Sequence, residues 1–294
     1  MSNKLVTVKD YANNQKNQPV VSVINWVFNQ SDFIEASLDS ILNQKVDFPI
    51  EIIVQDDAST DGTRDILDKY IAQYPNVFNC ILNKENKYSN GEDITTPPLI
   101  KASGKYIALT HGDDYWTDPL KLQKQVDFLE QNKSYSMVCS NVEIIDNLGF
   151  FKRKRFNFKN SFDIDAKYLL KNNHITTCTV MAYASILQLR KPVKINFADK
   201  HIWLTLLENG KCFYLNEITA RYRMHNAGIY SIMKEYSKSI KRIEDYKIYR
   251  KEFPSLYKTI TFQIYKNLFR GIISSIKVRN YKDFKQLLKL VFFK

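Results

Sequence analysis

An α/β fold on a mostly parallel sheet, flanked by helices, is what this 294-residue sequence predicts. Three observations predict it. Short β-branched apolar runs recur, first at Val20–Ile24 and again at Ile50–Val54. Between them apolar residues fall at helical spacing, which gives the strand–helix–strand unit of a parallel sheet. The alternation then continues to about Asp146.

Taken in order, Val20–Ile24 reads as the first strand. Phe33, Ile34, Leu38, Ile41 and Leu42 follow at the period of a helix, with Ser31 or Asp32 as its N-cap. Ile50–Val54 is the second strand and Arg64–Tyr74 the next helix. Val77–Asn83 and Lys105–Thr110 are expected as further strands. A helix begins near Pro119, which suits a first helical position, capped by Thr117 or Asp118. Tyr135–Asp146 is again a strand. Beyond it, Ser161–Asn173 reads as helix, Thr176–Ala184 as strand, Asp199–Gly210 as helix and Lys211–His225 as one or two strands. After Ile229 the pattern is helical to the end, interrupted at Pro254. The expected division is an N-terminal extension at 1–18, a catalytic domain at 19–230 and a basic helical region at 231–294.

Composition sets outer bounds. Hydrophobic residues make up 44% and charged residues 25%, as in ordinary globular chains. The four cysteines lie far apart with no CxxC pair, which argues against zinc and for buried free thiols. The first residues hold no apolar signal core, and no window of about 18 apolar residues reads as a membrane span. The expected compartment is the cytoplasm. The net charge is +12, and from Lys234 onward 16 Lys and Arg face 5 Asp and Glu, so +11 of it sits there. One reading of this tail is a set of basic amphipathic helices on an anionic membrane surface, peripheral to the inner face of the cell membrane. The other is a packed helical subdomain with solvated lysines. With no recognised module, nucleic acid is not expected as a partner.

Two acidic turns carry the chemistry. "VQDDAST" follows the Ile50 strand, and "HGDDYW" follows the Lys105 strand. Parallel strands bring both turns to one edge, where ligands of open α/β sheets bind. Converging carboxylates call for a compensating cation, and Mg²⁺ or Mn²⁺ accepts such oxygens while sharing substrate phosphates. Neither GxxxxGK[ST] nor GxGxxG is present; acidic turns without a glycine cradle suggest a nucleotide held by metal and side chains.

The stretches "VVSVINWVFNQSDFIEASLDSILNQ", "IEIIVQDDASTDGT" and "ASGKYIALTHGDDYWTDPLKLQKQVDFLE" together resemble family 2 glycosyltransferases of the GT-A fold, over roughly Pro19 to Gly228. The resemblance implies an inverting, nucleotide-sugar-dependent enzyme of the hexosyl- or N-acetylhexosaminyl-transferase class. It implies Mn²⁺ or Mg²⁺ as cofactor, a UDP-sugar donor, and a glycan or lipid-linked glycan acceptor in bacterial surface polysaccharide synthesis. Asp57 matches the acid that recognises the nucleotide base, with Asp56 beside it. Asp114 matches the metal ligand, and Asp113 the contact to the donor ribose or sugar. Asp199 in "FADKHIW" matches the general base. His225 in "YRMHNAGIYS" matches a residue that reaches metal or diphosphate. The chain departs from the pattern after the first strand, where "NWVFN" places Phe28 at a position usually held by tyrosine; its ring can still stack on a base. Ala198 precedes Asp199 where an acid is usual. Two other readings remain: a sugar-phosphate nucleotidyltransferase, although "NWVFNQSD" offers no Gly, Arg or Lys for phosphates, and a non-catalytic nucleotide-sugar binding protein.

Overall fold

The computed structural model describes residues 5–12, 17–225, 233–277, 286, 287 and 289. Two compact units emerge. The first comprises Met1–Ile164, Ile175–Pro192 and Thr205–Arg223; the second comprises Asp165–His174, Val193–Leu204 and Met224–Lys294. The expected boundary at 230 and most of the chain beyond 277 fall outside the described residues.

The first unit is built on a mixed sheet. Its elements are β1 (Val6–Thr7), α1 (Val8–Tyr11), β2 (Val21–Val27), α2 (Ile34–Leu42), β3 (Lys45–Val46), β4 (Ile50–Asp56), α3 (Thr63–Gln73), β5 (Ile81–Leu82), α4 (Thr96–Lys101), β6 (Tyr106–His111), β7 (Tyr115–Trp116), α5 (Lys121–Gln131), β8 (Tyr135–Ile145), β9 (Phe151–Lys154) and β10 (Phe162–Ile164). Later segments add β11 (Met181–Tyr183), α7 (Ala184–Gln188) and β12 (Lys211–Arg223); α6 (Ala166–Asn172) precedes them in the chain. Strand order is β10-β12-β8-β11-β6-β2-β4-β5, with β7 added to β12 and β9 to β8. β2 pairs in parallel with β4 and β6, β4 with β5, and β8 with β12. β11 is antiparallel to both β6 and β8, so it joins the two parallel blocks.

The central strands are β-branched and buried on both faces, as parallel strands covered by helices must be. α2 buries Ile34, Leu38, Ile41 and Leu42 at helical spacing. These side chains join Val21, Val23, Ile50, Ile52 and Tyr106 in one core, which also takes Val8 and Ala12 from the N-terminal segment. Several local expectations shift. α2 begins at Ile34, so neither Ser31 nor Asp32 caps it. Asp118 accepts from the Leu120 N–H at 2.9 Å, because α5 starts two residues later than Pro119 suggests. The Val77–Asn83 strand shrinks to Ile81–Leu82, with a single bridge from Phe78 to Ile52. The segment at 176–184 opens with a 3-10 turn before β11. Of the cysteines, Cys139, Cys178 and Cys212 are buried free thiols, whereas Cys80 is partly exposed.

The second unit is helical. It holds α6 and the start of α8 (Ala198–Glu208), then α9 (Glu235–Glu252) and α10 (Tyr257–Lys277). α9 and α10 pack against each other after a turn at Pro254–Leu256. No described helix is long and apolar enough to cross a membrane.

One buried charge in the first unit gives a test. Lys121 is fully buried; its Nζ donates to Gln125 at 2.9 Å and lies 4.1 Å from the centre of the Trp116 ring. Burial pushes its pKa down to about 7. Unfolded lysine titrates near 10.4, so between these values the unfolded chain holds more protons. Unfolding free energy is therefore expected to rise from about pH 7 to about pH 10, a rise that Lys121→Met should flatten in urea titrations.

Candidate functional site

The site of interest lies where β2, β4 and β6 end. β2 is followed in sequence by β4 on one side, whereas β6 lies on its other side. The connections therefore diverge, leaving a crevice at the carboxyl edge. Register fixes what lines it: Val27 stands opposite Asp56, and Trp26 opposite His111. Both acidic turns thus flank Phe28, which is 42% exposed.

Backbone and side-chain hydrogen bonds lace the three loops together. Asp57 N–H donates to Val27 O at 3.0 Å, and Gly112 N–H to Trp26 O at 3.0 Å. Asn29 takes a left-handed conformation, φ 50°. There its N–H donates to Ser59 Oγ at 2.9 Å, and its Oδ1 accepts from Thr60 N–H at 2.8 Å. Asn tolerates this conformation better than most residues.

The first acidic pair is turned inward. Asp56 is fully buried and accepts from Arg64 and Ser59, an ion pair that anchors the loop after β4. Asp57 accepts from Asn83 Nδ2 at 2.8 Å, Lys87 N–H at 2.9 Å and Tyr88 N–H at 3.0 Å. It therefore shapes the loop after β5, leaving the Tyr88 ring exposed beside it.

The second pair divides by environment. Asp113 is partly exposed. Asp114 is buried, with 1% exposure; its Oδ1 accepts from the Arg223 N–H at 2.9 Å, and its Oδ2 has no hydrogen-bond partner. Burial, reinforced by the neighbouring Asp113, drives the Asp114 pKa well above the carboxylate range. The Cys178 thiol beside it is pushed up by its own burial and then by Asp114. Arg223 closes the turn: its Nε donates to Asp113 O at 3.2 Å, and Nη1 to Asn147 O at 2.9 Å. β7 pairs with β12 at Trp116–Ala220, and Trp116 Nε1 donates to Cys178 O at 2.8 Å.

A hard divalent cation suits this turn. The donors are carboxylate oxygens, and one oxygen of the buried Asp114 has no hydrogen-bond partner. Among the described residues no three His, Cys, Asp or Glu converge into a metal cage. A cation held here would draw its remaining ligands from donor phosphates and water.

Asp199 and His225 belong to the second unit. Asp199 lies in the first turn of α8, inside the helix rather than at its cap. Asp245 of α9 receives the backbone donors just before that helix: Asn196 N–H at 2.7 Å on Oδ1 and Phe197 N–H at 3.0 Å on Oδ2. Tyr249 Oη donates to Phe197 O at 3.1 Å, and Lys200 Nζ to Tyr246 Oη at 2.9 Å. His201, the next residue of α8, pairs with Glu252. The helix bearing Asp199 is thus gripped by α9 just before and within its first turn. His225 follows β12 and is partly buried; the rest of its motif, 226–232, lies outside the described residues.

Sequence reasoning missed Arg64, Arg223 and Asp245. Arg64 reaches back eight positions to Asp56, whereas Arg223 and Asp245 act on residues far away in the chain; only Arg223 carried a local signal, through the "YRMH" stretch. His111 ends β6 with its ring 5.6 Å from that of Trp26, as a strand-end residue would.

Comparison with known proteins agrees with this architecture. The model of the family described as glycosyl transferase family 2 matches residues 22–188. The putative teichuronic acid biosynthesis glycosyltransferase TuaG of Bacillus subtilis is 33% identical, over 73% of this chain and 82% of its own length. The glucosyltransferase WfaP of Escherichia coli, named for UDP-Glc and a GlcNAc-diphosphoundecaprenol acceptor, is 30% identical over 71% of this chain and 79% of its own. Uncharacterised mycobacterial relatives are 34% identical, and the chain spans 60% of their length. The crystal structure of Staphylococcus aureus TarS 1-349 with UDP-GlcNAc superimposes at a TM-score of 0.68, 15% identity, covering 92% of this chain and 81% of that one. The chain belongs to glycosyl transferase family 2, and its fold is GT-A.

Two outcomes follow from the geometry. A Cβ on Gly112 would meet Gln30 Oε1 at 2.3 Å and Val27 Cγ2 at 3.1 Å. Gly112→Ala is expected to cost about 1–3 kcal/mol of stability, read by denaturant unfolding. For Asp245, burial outweighs its hydrogen bonds and pushes the pKa up to about 6. A raised carboxylate stabilises below its unfolded pKa, near 3.9, and that contribution is lost as pH rises through 6. Asp245→Asn should abolish this fall and lower the hydrogen-exchange protection of the Asn196 and Phe197 amides.

Proposed function

We propose, from membership of glycosyl transferase family 2, that this chain is an inverting glycosyltransferase that moves a sugar from a UDP-sugar to a hydroxyl of a lipid-linked glycan in surface polysaccharide synthesis. The observation that carries the reading is the pair of acidic turns at one sheet edge, either side of Phe28. The UDP-GlcNAc bound in the TarS crystal structure, and the UDP-Glc donor and diphosphoundecaprenol acceptor for which WfaP is named, support the donor and acceptor classes.

In this reading Phe28 stacks on the nucleotide base, and Asp57 meets its polar edge, with Asp56 holding the loop through Arg64. Mn²⁺ or Mg²⁺ at the Asp113–Asp114 turn supplies stabilisation of the charge that develops on the diphosphate. The resemblance gives the cation to Asp114 and the donor ribose or sugar to Asp113. Burial weighs the other way: Asp113 reaches solvent, while Asp114 fixes the turn through Arg223. His225 is the further candidate for cation or diphosphate. Asp199 takes the proton of the acceptor hydroxyl as that oxygen attacks the anomeric carbon and the bond to the diphosphate breaks. A single displacement inverts the anomeric centre, so no covalent nucleophile is needed.

A panel of nucleotide sugars, with and without Mn²⁺, tests the reading by thermal shift and product analysis. A UDP-sugar is expected to stabilise the chain and yield a product of inverted configuration; retention would refute the mechanism. Asp199→Asn should lower kcat at least about 100-fold with donor binding intact. Asp113→Asn and Asp114→Asn separate the two metal assignments. Whichever variant loses the Mn²⁺ dependence of donor binding identifies the ligand.

A further inference from the structure

We propose that the outward face of α10 is a docking surface for an anionic lipid bilayer. The helix has two apolar faces. On one, Ile260, Ile264 and Leu268 are buried, and Gly271 lets α9 approach closely; a Cβ there would meet that of Ser239 at 2.9 Å.

The other face is open to solvent. Phe262, Tyr265, Phe269, Ile273 and Ile276 succeed one another at steps of three, four, four and three residues, and all are exposed. Phe262, Phe269 and Ile276 are each exposed by 60% or more. Single exposed apolar residues are ordinary, but a contiguous row marks an interaction surface. At 1.5 Å per residue the row extends about 21 Å. Lys266, Arg270 and Lys277 run alongside it, and Lys258 sits at its start. The helix contains no Asp or Glu.

Charge selects the occupant. Steps of three and four also suit a seam between two copies of the helix. That pairing would set one row of cations against another with no acid on either helix to offset them. An anionic bilayer supplies the missing charge along the whole flank. Its headgroup boundary suits phenylalanine and tyrosine rings beside cations on a helix lying in the membrane plane. The helix is too polar to cross, so it lies on the surface. No residue of the donor site enters this inference, so vesicle binding and sugar transfer can fail independently.

The full chain is centrifuged with phosphatidylcholine vesicles, with and without phosphatidylglycerol. Binding is expected to be at least about tenfold stronger with the anionic lipid. The exposed double variant F262S/F269S should bind at least about tenfold more weakly, with far-UV circular dichroism and UDP-sugar stabilisation unchanged. K266Q/R270Q, which leaves the apolar row intact, should narrow the preference for anionic lipid. The proposal falls if the wild-type chain ignores anionic vesicles or F262S/F269S binds as tightly as wild type. It also falls if the chain is a lipid-free dimer that F262S/F269S converts to monomer.

Discussion

The parallel register of β2 between β4 and β6 is the constraint on which the site depends. It sets Val27 against Asp56 and Trp26 against His111, so three loops emerge at one level. Sheet hydrogen bonds alone would leave those loops free to splay. They are held instead by backbone donors that cross from one loop to the next, at Asp57, Gly112 and Asn29. A slip of one residue would turn each buried side chain of β2 to the opposite face. The β-branched core therefore enforces the register that the site needs.

Charge is managed differently at the two acidic turns. Asp56 and Asp57 are answered within the protein, by Arg64 and by backbone N–H groups of the following loop. Asp114 accepts a backbone N–H on one oxygen, and burial, reinforced by the neighbouring Asp113, raises its pKa. Buried polar atoms without partners are costly, so they persist where another component completes them. This second turn lies next to β7, whose Trp116 is fixed by Cys178 and stands over the buried Lys121.

In the second unit the basic tail proves to have internal work. α9 uses Asp245, Tyr246, Tyr249 and Glu252 to hold the first turns of α8. Asp245 and Glu252 serve that helix, whereas Glu235 pairs with Arg242 within α9. The lysines dominate the net charge, yet the minority carboxylates shape the unit. α10 in turn divides its apolar residues between a face against α9 and an exposed row.

The sequence by itself determined the α/β class, the strands at the centre of the sheet and the place of both acidic turns. Those features rest on local periodicity and on residues adjacent in the chain: β-branched runs for β2 and β4, helical spacing for α2, paired aspartates at strand ends. Helix caps, the two-residue strands β3 and β7, and the 3-10 turn before β11 were not legible, since short elements carry too few residues for a period. Tertiary structure alone decided which aspartates are buried. Asp113 and Asp114 are neighbours of one residue type, and nothing in "HGDDYW" distinguishes them. Their difference comes from Arg223, 109 positions beyond Asp114, whose N–H reaches one carboxylate and not the other. Likewise Asp245 reads as one acid in a basic helix until folding sets it beneath the N-terminus of α8. Partners distant in sequence leave no periodic trace, because their pairing is fixed only when separate elements pack.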